Sequence, residues 1–254
     1  MYNPYSLAGK NILVSGASSG IGRTTAIECA KLGASVIVTA RNEERLSAVF
    51  AELAIDSGQH HKMIISDLNT VDGINTLIEH LTEIDGLSSN VGISLGSIPI
   101  KFISDEAVEK VWQVNTFSQV KLIRGLIKKK KLKKNSSIVF TSSVGGVTAF
   151  NVGNSVYGMS KAALDSFMKF CAVDFASRGI RCNSVCPGMI ETPMNGGEGA
   201  LNDEDYKKDM EHYLLKRYGR PEEVAWSITF LLSDASSFIT GVSLSVDGGL
   251  SIIR

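Results

Sequence analysis

A single α/β domain, built on a doubly wound sheet of about seven parallel strands with helices on both faces, is the fold class this sequence predicts. Three observations predict it. Apolar strand-like runs alternate with helical segments along the whole chain. The runs are largely apolar, as strands covered on both faces require. A length of 254 residues with 44% hydrophobic content suits one large core, so residues 1–254 form one domain.

The elements follow in order. The first strand, Asn11 to Ser15, runs into a glycine-rich turn and a helix over Gly20 to Leu32. Strands over Ser35 to Thr39, Lys62 to Ser66 and Ile84 to Ser88 come next, separated by helices over Asn42 to Ser57 and Val71 to Leu81. A long helix over Asp105 to Ile127 leads to a strand over Ser137 to Thr141, and a second over Ser155 to Ser177 leads to a strand over Ile180 to Val185. The chain closes with a helix over Pro221 to Leu232, with Pro221 suited to a first helical turn, and a strand over Gly241 to Val246. The least regular stretch is 188–219, carrying Asn195-Gly196-Gly197 and then a polar helical section through Asp205 and His212. Such an insertion is expected to form a mobile lid, with Met189, Met194, Tyr206, Met210 and Tyr213 giving an apolar wall.

Composition narrows the partners. Lys+Arg and Asp+Glu both total 26, so there is no net charge to attract nucleic acid or an anionic membrane, and a small-molecule substrate is the expected partner. The amino terminus lacks a basic segment followed by an apolar one, and no run of about 18 apolar residues occurs, so a cytoplasmic protein without membrane contact is expected. Cys29, Cys171, Cys182 and Cys186 form no CxxC pair and lie in or beside apolar segments, so neither a metal site nor a disulfide is expected.

Two motifs carry chemistry. Gly16, Gly20 and Gly22 permit a tight turn and close backbone approach to a ligand, while the helix that follows offers free N–H groups and a favourable dipole to a pyrophosphate. Tyr157 and Lys161 lie four apart on a predicted helix, which puts a phenol and an ammonium on one face. A tyrosine pKa is about 10, so a nearby cation is needed to favour the phenolate and bring proton transfer within reach of neutral pH. The spacing alone arises by chance in about four of ten chains of this composition, so it needs the rest of the sequence beside it.

Taken together, these residues resemble the classical short-chain dehydrogenase/reductases, whose pattern this chain matches from Gly9 to Gly249. The family's glycine motif matches Gly16, Gly20, Ile21 and Gly22, with Ser18 and Ser19 inside it. Its YxxxK motif matches Tyr157 and Lys161, its active-site serine matches Ser143 with Ser142 as the alternative, and its catalytic asparagine matches Asn115. Pro187, Gly188, Ile190 and Thr192 match the segment that lies over nicotinamide, and Val246-Asp247-Gly248-Gly249 matches the carboxyl-terminal signature. Where the family has Asn-Asn-Ala-Gly this chain has Ser89-Asn90-Val91-Gly92, keeping Asn90 and Gly92.

The resemblance implies a Rossmann-type fold and a hydride-transfer oxidoreductase that reduces a carbonyl or oxidises the corresponding secondary alcohol. A 3-oxoacyl thioester, a sugar or polyol, and a cyclic alcohol are all open as substrates. It implies that Tyr157 exchanges the proton and that Ser143 bonds the substrate oxygen. Lys161 would lower the phenol's pKa and hold the nicotinamide ribose, and Asn115 would hold a water that relays protons. Asp67 and Leu68 would contact adenine. Ala40 stands where NAD-preferring members carry an acidic residue, and Arg41 follows it with a planar charged fork suited to a 2′-phosphate, so NADP(H) is expected over NAD(H). A tetramer or dimer is implied as well. The alternative is a catalytically silent NADP(H)-sensing regulator, which would have no need of the acid-base tyrosine. The lysines Lys128 to Lys131, Lys133 and Lys134 read as a solvated face at a helix carboxyl terminus, with docking of an acidic partner such as an acyl carrier protein as the other option.

Overall fold

Seven parallel strands in the order β3-β2-β1-β4-β5-β6-β7 form the centre of the molecule. They are β1 (Asn11–Ser15), β2 (Ser35–Ala40), β3 (Lys62–Ile65), β4 (Ile84–Ser89), β5 (Leu132–Thr141), β6 (Arg181–Pro187) and β7 (Ser243–Val246). The computed structural model describes residues 2–55, 58–195 and 203–252. Helices α1 (Gly20–Lys31), α2 (Glu43–Ala51) and α3 (Val71–His80) follow the first three strands. Between β4 and β6 come α4 (Asp105–Trp112), α5 (Ser118–Lys128), the short α6 (Val144–Val147) and α7 (Ser155–Phe175), and α8 (Asp203–Met210) and α9 (Pro221–Leu232) precede β7.

The sheet is covered on both faces because its strands are apolar on both. Leu13, Leu87, Ile138 and Phe140 pack with α3, α5 and α7 on one side. Ile12, Val14, Val36, Val38 and Val139 pack with α1 and α9 on the other. The order reverses between β1 and β4, so β1 feeds leftward to β2 and β3 while β4 feeds rightward. The loops leaving their carboxyl ends part there and open a crevice, the usual ligand site of such sheets.

Three elements differ from the sequence reading. The helix expected over Asn42 to Ser57 stops at Ala51, with Asn42 as its cap, Oδ1 accepting from Arg45 N at 2.8 Å; Ser57 lies outside the described residues. Strand β5 begins at Leu132, not Ser137, because buried Leu132 pairs with Ile84 before the register jumps to Gly86↔Ser137. The residues between bulge out, with Asn135 at φ +61°. The long helix over Asp105 to Ile127 is interrupted by one π turn, Gln113–Phe117, which contains Asn115. π turns inside helices cluster at functional sites because they re-aim side chains.

The core offers a direct check. Leu87 is fully buried at the centre of β4, so Leu87→Ala is expected to cost about 2–5 kcal/mol in urea unfolding.

Candidate active site

The crevice at the strand carboxyl ends is one continuous cleft of about 2140 Å³, more than twice the ~300–1,000 Å³ of an ordinary small-molecule pocket. That volume suits an extended ligand with a second molecule beside it. Every residue expected to act in catalysis or hold the cofactor lines it except Asn115, which sits behind its wall; of the expected apolar wall Met189, Met194 and Tyr213 line it and Met210 does not.

One end is the glycine turn between β1 and α1. Gly16 has φ +66°, and a Cβ at Gly22 would lie 2.2 Å from the Gly16 carbonyl oxygen, so the turn is wound too tightly for any side chain at Gly22. Ser19 at the α1 amino terminus makes no side-chain cap, whereas Asn42, Thr70 and Ser104 cap their helices. The first N–H groups of α1 therefore face the cleft without a side-chain acceptor, beside Ser18 and Ile21. Thr192 closes over this turn, its Cγ2 lying 3.4 Å from where a Gly20 Cβ would be. A tight backbone cradle and an uncapped helix start fit the pyrophosphate of a dinucleotide.

Further along, Ala40 and Arg41 leave β2 at the cleft margin, and Arg45, in the first turn of α2, lines the same stretch. Sequence reasoning missed Arg45, although the Arg-x-x-x-Arg spacing was its signal. Both guanidiniums are exposed, and Arg41 makes no ion pair with Glu43 or Glu44. Opposite them Asp67 turns its Oδ1 to Asn69 N (3.0 Å) and Asn69 Nδ2 (2.8 Å), which shapes the loop through Leu68.

Asn90 ties three strand ends together. Its Nδ2 donates to Ser15 O (3.1 Å) and Ser88 O (3.2 Å), and its Oδ1 accepts from Thr141 Oγ1 (2.7 Å). The changed residues beside it point elsewhere. Ser89 is buried and donates to Gln119 Oε1, while Gln119 Nε2 donates to Val91 O at 2.9 Å, so this pair anchors the strand end to α5. Gly92 leaves room for Lys161, whose Nζ would lie 3.0 Å from a Cβ at that position.

Tyr157 and Lys161 project from the first two turns of α7. Lys161 is only 3% exposed, its Nζ donates to Thr141 O at 2.8 Å, and it lies 5.8 Å from the Tyr157 ring centroid. Burial pushes its pKa down from 10.5 to about 8. Burial likewise raises the Tyr157 phenol, and the Ser143 hydroxyl, hydrogen-bonded to it, works in the opposite direction. The lowering of the phenol by Lys161 is therefore not what governs this geometry; desolvation does. Ser143 opens onto the cleft and accepts from Gly145 N at 3.1 Å, whereas Ser142 is 2% exposed and donates to Lys161 O at 3.0 Å. Ser142 thus holds the α7 backbone, and Ser143 is the hydroxyl available to a ligand.

Asn115 spends its side chain on structure. Its Nδ2 donates to Ile93 O and Ser160 Oγ, both at 3.0 Å, and its Oδ1 accepts from Ile93 N at 2.8 Å. It fastens the loop after β4 to α7, one residue from Lys161. Over the far side, Pro187, Gly188 and Ile190 leave β6, and Met189 N donates to the buried Tyr213 hydroxyl at 3.0 Å. Ile190 pairs with Gly219, so the ends of 188–219 are bridged. Gly196 and Gly197, with the side chains of Asn195 and Tyr206, fall outside what the structure describes. No group of three metal-ligating side chains occurs among the described residues, and all four cysteines are buried free thiols.

A parallel sheet with a glycine-turn cradle and a Tyr-Lys pair on one cleft defines a short-chain dehydrogenase/reductase. A family model described as "Enoyl-(Acyl carrier protein) reductase" matches residues 16–251, and the chain belongs to the short-chain dehydrogenase/reductase family, oxidoreductases of CH–OH and carbonyl groups that use NAD(P). It is 34% identical over 247 residues to the 3-oxoacyl-[acyl-carrier-protein] reductase FabG of Rickettsia prowazekii, covering 97% of this chain and 99% of that protein. It is 36% identical to a glucose 1-dehydrogenase of Gluconobacter oxydans, covering 96% and 93%. A dehydrogenase/reductase from Sinorhizobium meliloti superposes with a TM-score of 0.88 at 31% identity, covering 97% of each chain.

The buried ammonium costs stability. Below pH 8 Lys161 is charged in both folded and unfolded chains and the penalty is present in full; it disappears as pH rises from 8 towards 10.5. Lys161→Met is expected to abolish turnover yet unfold about 1–3 kcal/mol later near pH 7, with the gain shrinking above pH 8, as read by urea titration at several pH values.

Proposed function

We propose that this protein is an NADP(H)-dependent carbonyl reductase, with alcohol oxidation as its reverse reaction. The observation that carries the reading is that Ser143, Tyr157 and Lys161 line the same cleft as the glycine cradle and the two free arginines. A bound nicotinamide dinucleotide supplies or accepts the hydride. Tyr157 gives its proton to the carbonyl oxygen, and its raised pKa keeps the phenol protonated through neutral pH, which suits a donor. Ser143 orients the same oxygen by a hydrogen bond. Lys161 would hold ribose hydroxyls and replace the proton, and because both amide protons of Asn115 are already used, its side chain donates to no relay water.

NADP(H) preference rests on the absence of an acidic side chain at Ala40 and on the charge of Arg41 and Arg45. The segment 188–219 acts as the substrate lid, and the protein works as a cytoplasmic homotetramer or dimer. No helix among the described residues is long and apolar enough to cross a membrane. Leu95, Val147, Phe150, Met189 and Met194 line the cleft among Ser94, Ser97, Asn151, Asn154 and His212, and these apolar side chains offer contacts to an acyl body. A 3-oxoacyl thioester is therefore the first substrate to assay, with glucose and cyclic alcohols as comparators. The lysine run does not serve that delivery: it lies at the start of β5, at the opposite end of the strand from Thr141 and the cleft.

Following NADPH oxidation against 3-oxoacyl thioesters, ketones and keto-sugars tests the reading, and no turnover of any carbonyl sinks it. Tyr157→Phe is expected to lower kcat by roughly 10²–10⁴-fold while NADPH still binds. Arg41→Ala is expected to weaken NADPH by about tenfold or more and leave NADH unchanged in fluorescence titrations, with Arg45→Ala weaker in the same direction.

A further inference from the structure

We infer that Asp165 is the positioning residue that locks α7 in register and so places Tyr157 and Lys161, an assignment that rests on the catalytic reading of that pair. Asp165 is only 4% exposed, the one buried charge of α7 besides Lys161, and nothing in the proposed chemistry uses it. Its surroundings explain its burial. Ser184 on β6 and Ser243 on β7 are register partners, and both turn their hydroxyls to it. Ser184 Oγ donates to Oδ1, and Ser243 Oγ donates to Oδ1 at 2.8 Å and Oδ2 at 2.9 Å. Lys169 Nζ completes the shell at 3.0 Å from Oδ2. A buried carboxylate is tolerated only when its acceptor sites are filled in this way.

The spacing on the two elements makes this bond a register gauge. Lys161 and Asp165 are one turn apart on α7, about 6 Å at 1.5 Å per residue. Cys186 and Ser184 are two residues apart on β6, about 6.6 Å along a strand and on the same face. Ser184 lies against Asp165, and one rung higher Ser142, whose N–H donates to Val185 O at 2.8 Å, donates its hydroxyl to Lys161 O at 3.0 Å. Helix and strand therefore match rung for rung, with the catalytic lysine on the upper rung and the carboxylate on the lower. The fasteners of the upper rung end on uncharged carbonyls: Ser142 Oγ donates to Lys161 O at 3.0 Å and Lys161 Nζ donates to Thr141 O at 2.8 Å. The lower rung has the ionic one. A shift of α7 by a fraction of a turn would leave the sheet packed but carry the Tyr157 hydroxyl away from Ser143.

The experiment compares Asp165→Asn, Ser184→Ala and the double variant in NADPH-saturated assays per folded molecule, using the fastest carbonyl of the panel. Asp165→Asn is expected to lower kcat roughly tenfold, with the NADPH dissociation constant unchanged, because small misplacements of reacting groups are costly and the glycine cradle is not attached to this bond. The double variant is expected to fall no further than the worse single one, since both cut the same link. Should Asp165→Asn not fold, Ser243→Ala removes one donor and is expected to lower kcat in the same direction. Independently of substrate, hydrogen exchange is expected to rise around Tyr157 and Lys161 while β1 and α1 keep their protection. Loss of thermal stability with wild-type kcat per folded molecule and a uniform rise in exchange would overturn the assignment. Tyr157→Phe is run alongside: if it keeps full activity, the catalytic reading fails, whereas an inactive Tyr157→Phe beside a fully active Asp165→Asn fails the register lock alone.

Discussion

The hydrogen bonds of Asn90 are the interaction on which the rest of this site depends. They span the ends of β1, β4 and β5 at the point where the strand order reverses, and that reversal is what opens the cleft. On one side of it the chain turns through Gly16 to Gly22 and presents the start of α1. On the other, Thr141 passes its hydroxyl to Asn90 and its carbonyl to Lys161. The cradle and the Tyr157–Lys161 pair are thus fastened to the same few atoms, so the distance between them is set by the sheet and not by mobile loops.

Polar groups in this protein are buried where elements must be held in relation to one another. Asn115 joins the loop after β4 to α7, Gln119 joins the end of β4 to α5, and Asp165 joins α7 to β6 and β7. Apolar packing is non-directional and would allow each helix to slide or turn a little on the sheet. A buried hydrogen bond has a narrow geometry and a high cost if broken, which makes it suited to fixing register. Lys161 differs in carrying a charge whose burial costs the fold stability.

The lysine-rich stretch shows how tertiary structure redirects a sequence feature. Lys133 pairs with Asp85 and Lys131 donates to Leu81 O, so part of the run stitches the starts of β4 and β5 together. Lys128, Lys129 and Lys130 reach solvent at the end of α5, and Lys134 does so in the bulge before Ser137.

The sequence by itself determined the parallel α/β sheet, six of its seven strands to within two residues, and the identity of the residues that meet on the cleft, because apolar runs and motif spacings are local properties of the chain. What it left out is non-local. That β5 starts five residues early follows from Leu132 finding Ile84, and that the helix around Asn115 relaxes into a π turn follows from its bonds to Ile93 and Ser160. The choice of Ser143 over Ser142, the nearness of Arg45 to Arg41, and the carboxylate under α7 each depend on which way a side chain faces after packing. Only the tertiary structure decides that, since adjacent serines on a chain leave a strand in opposite directions and the partner each meets is far away in sequence.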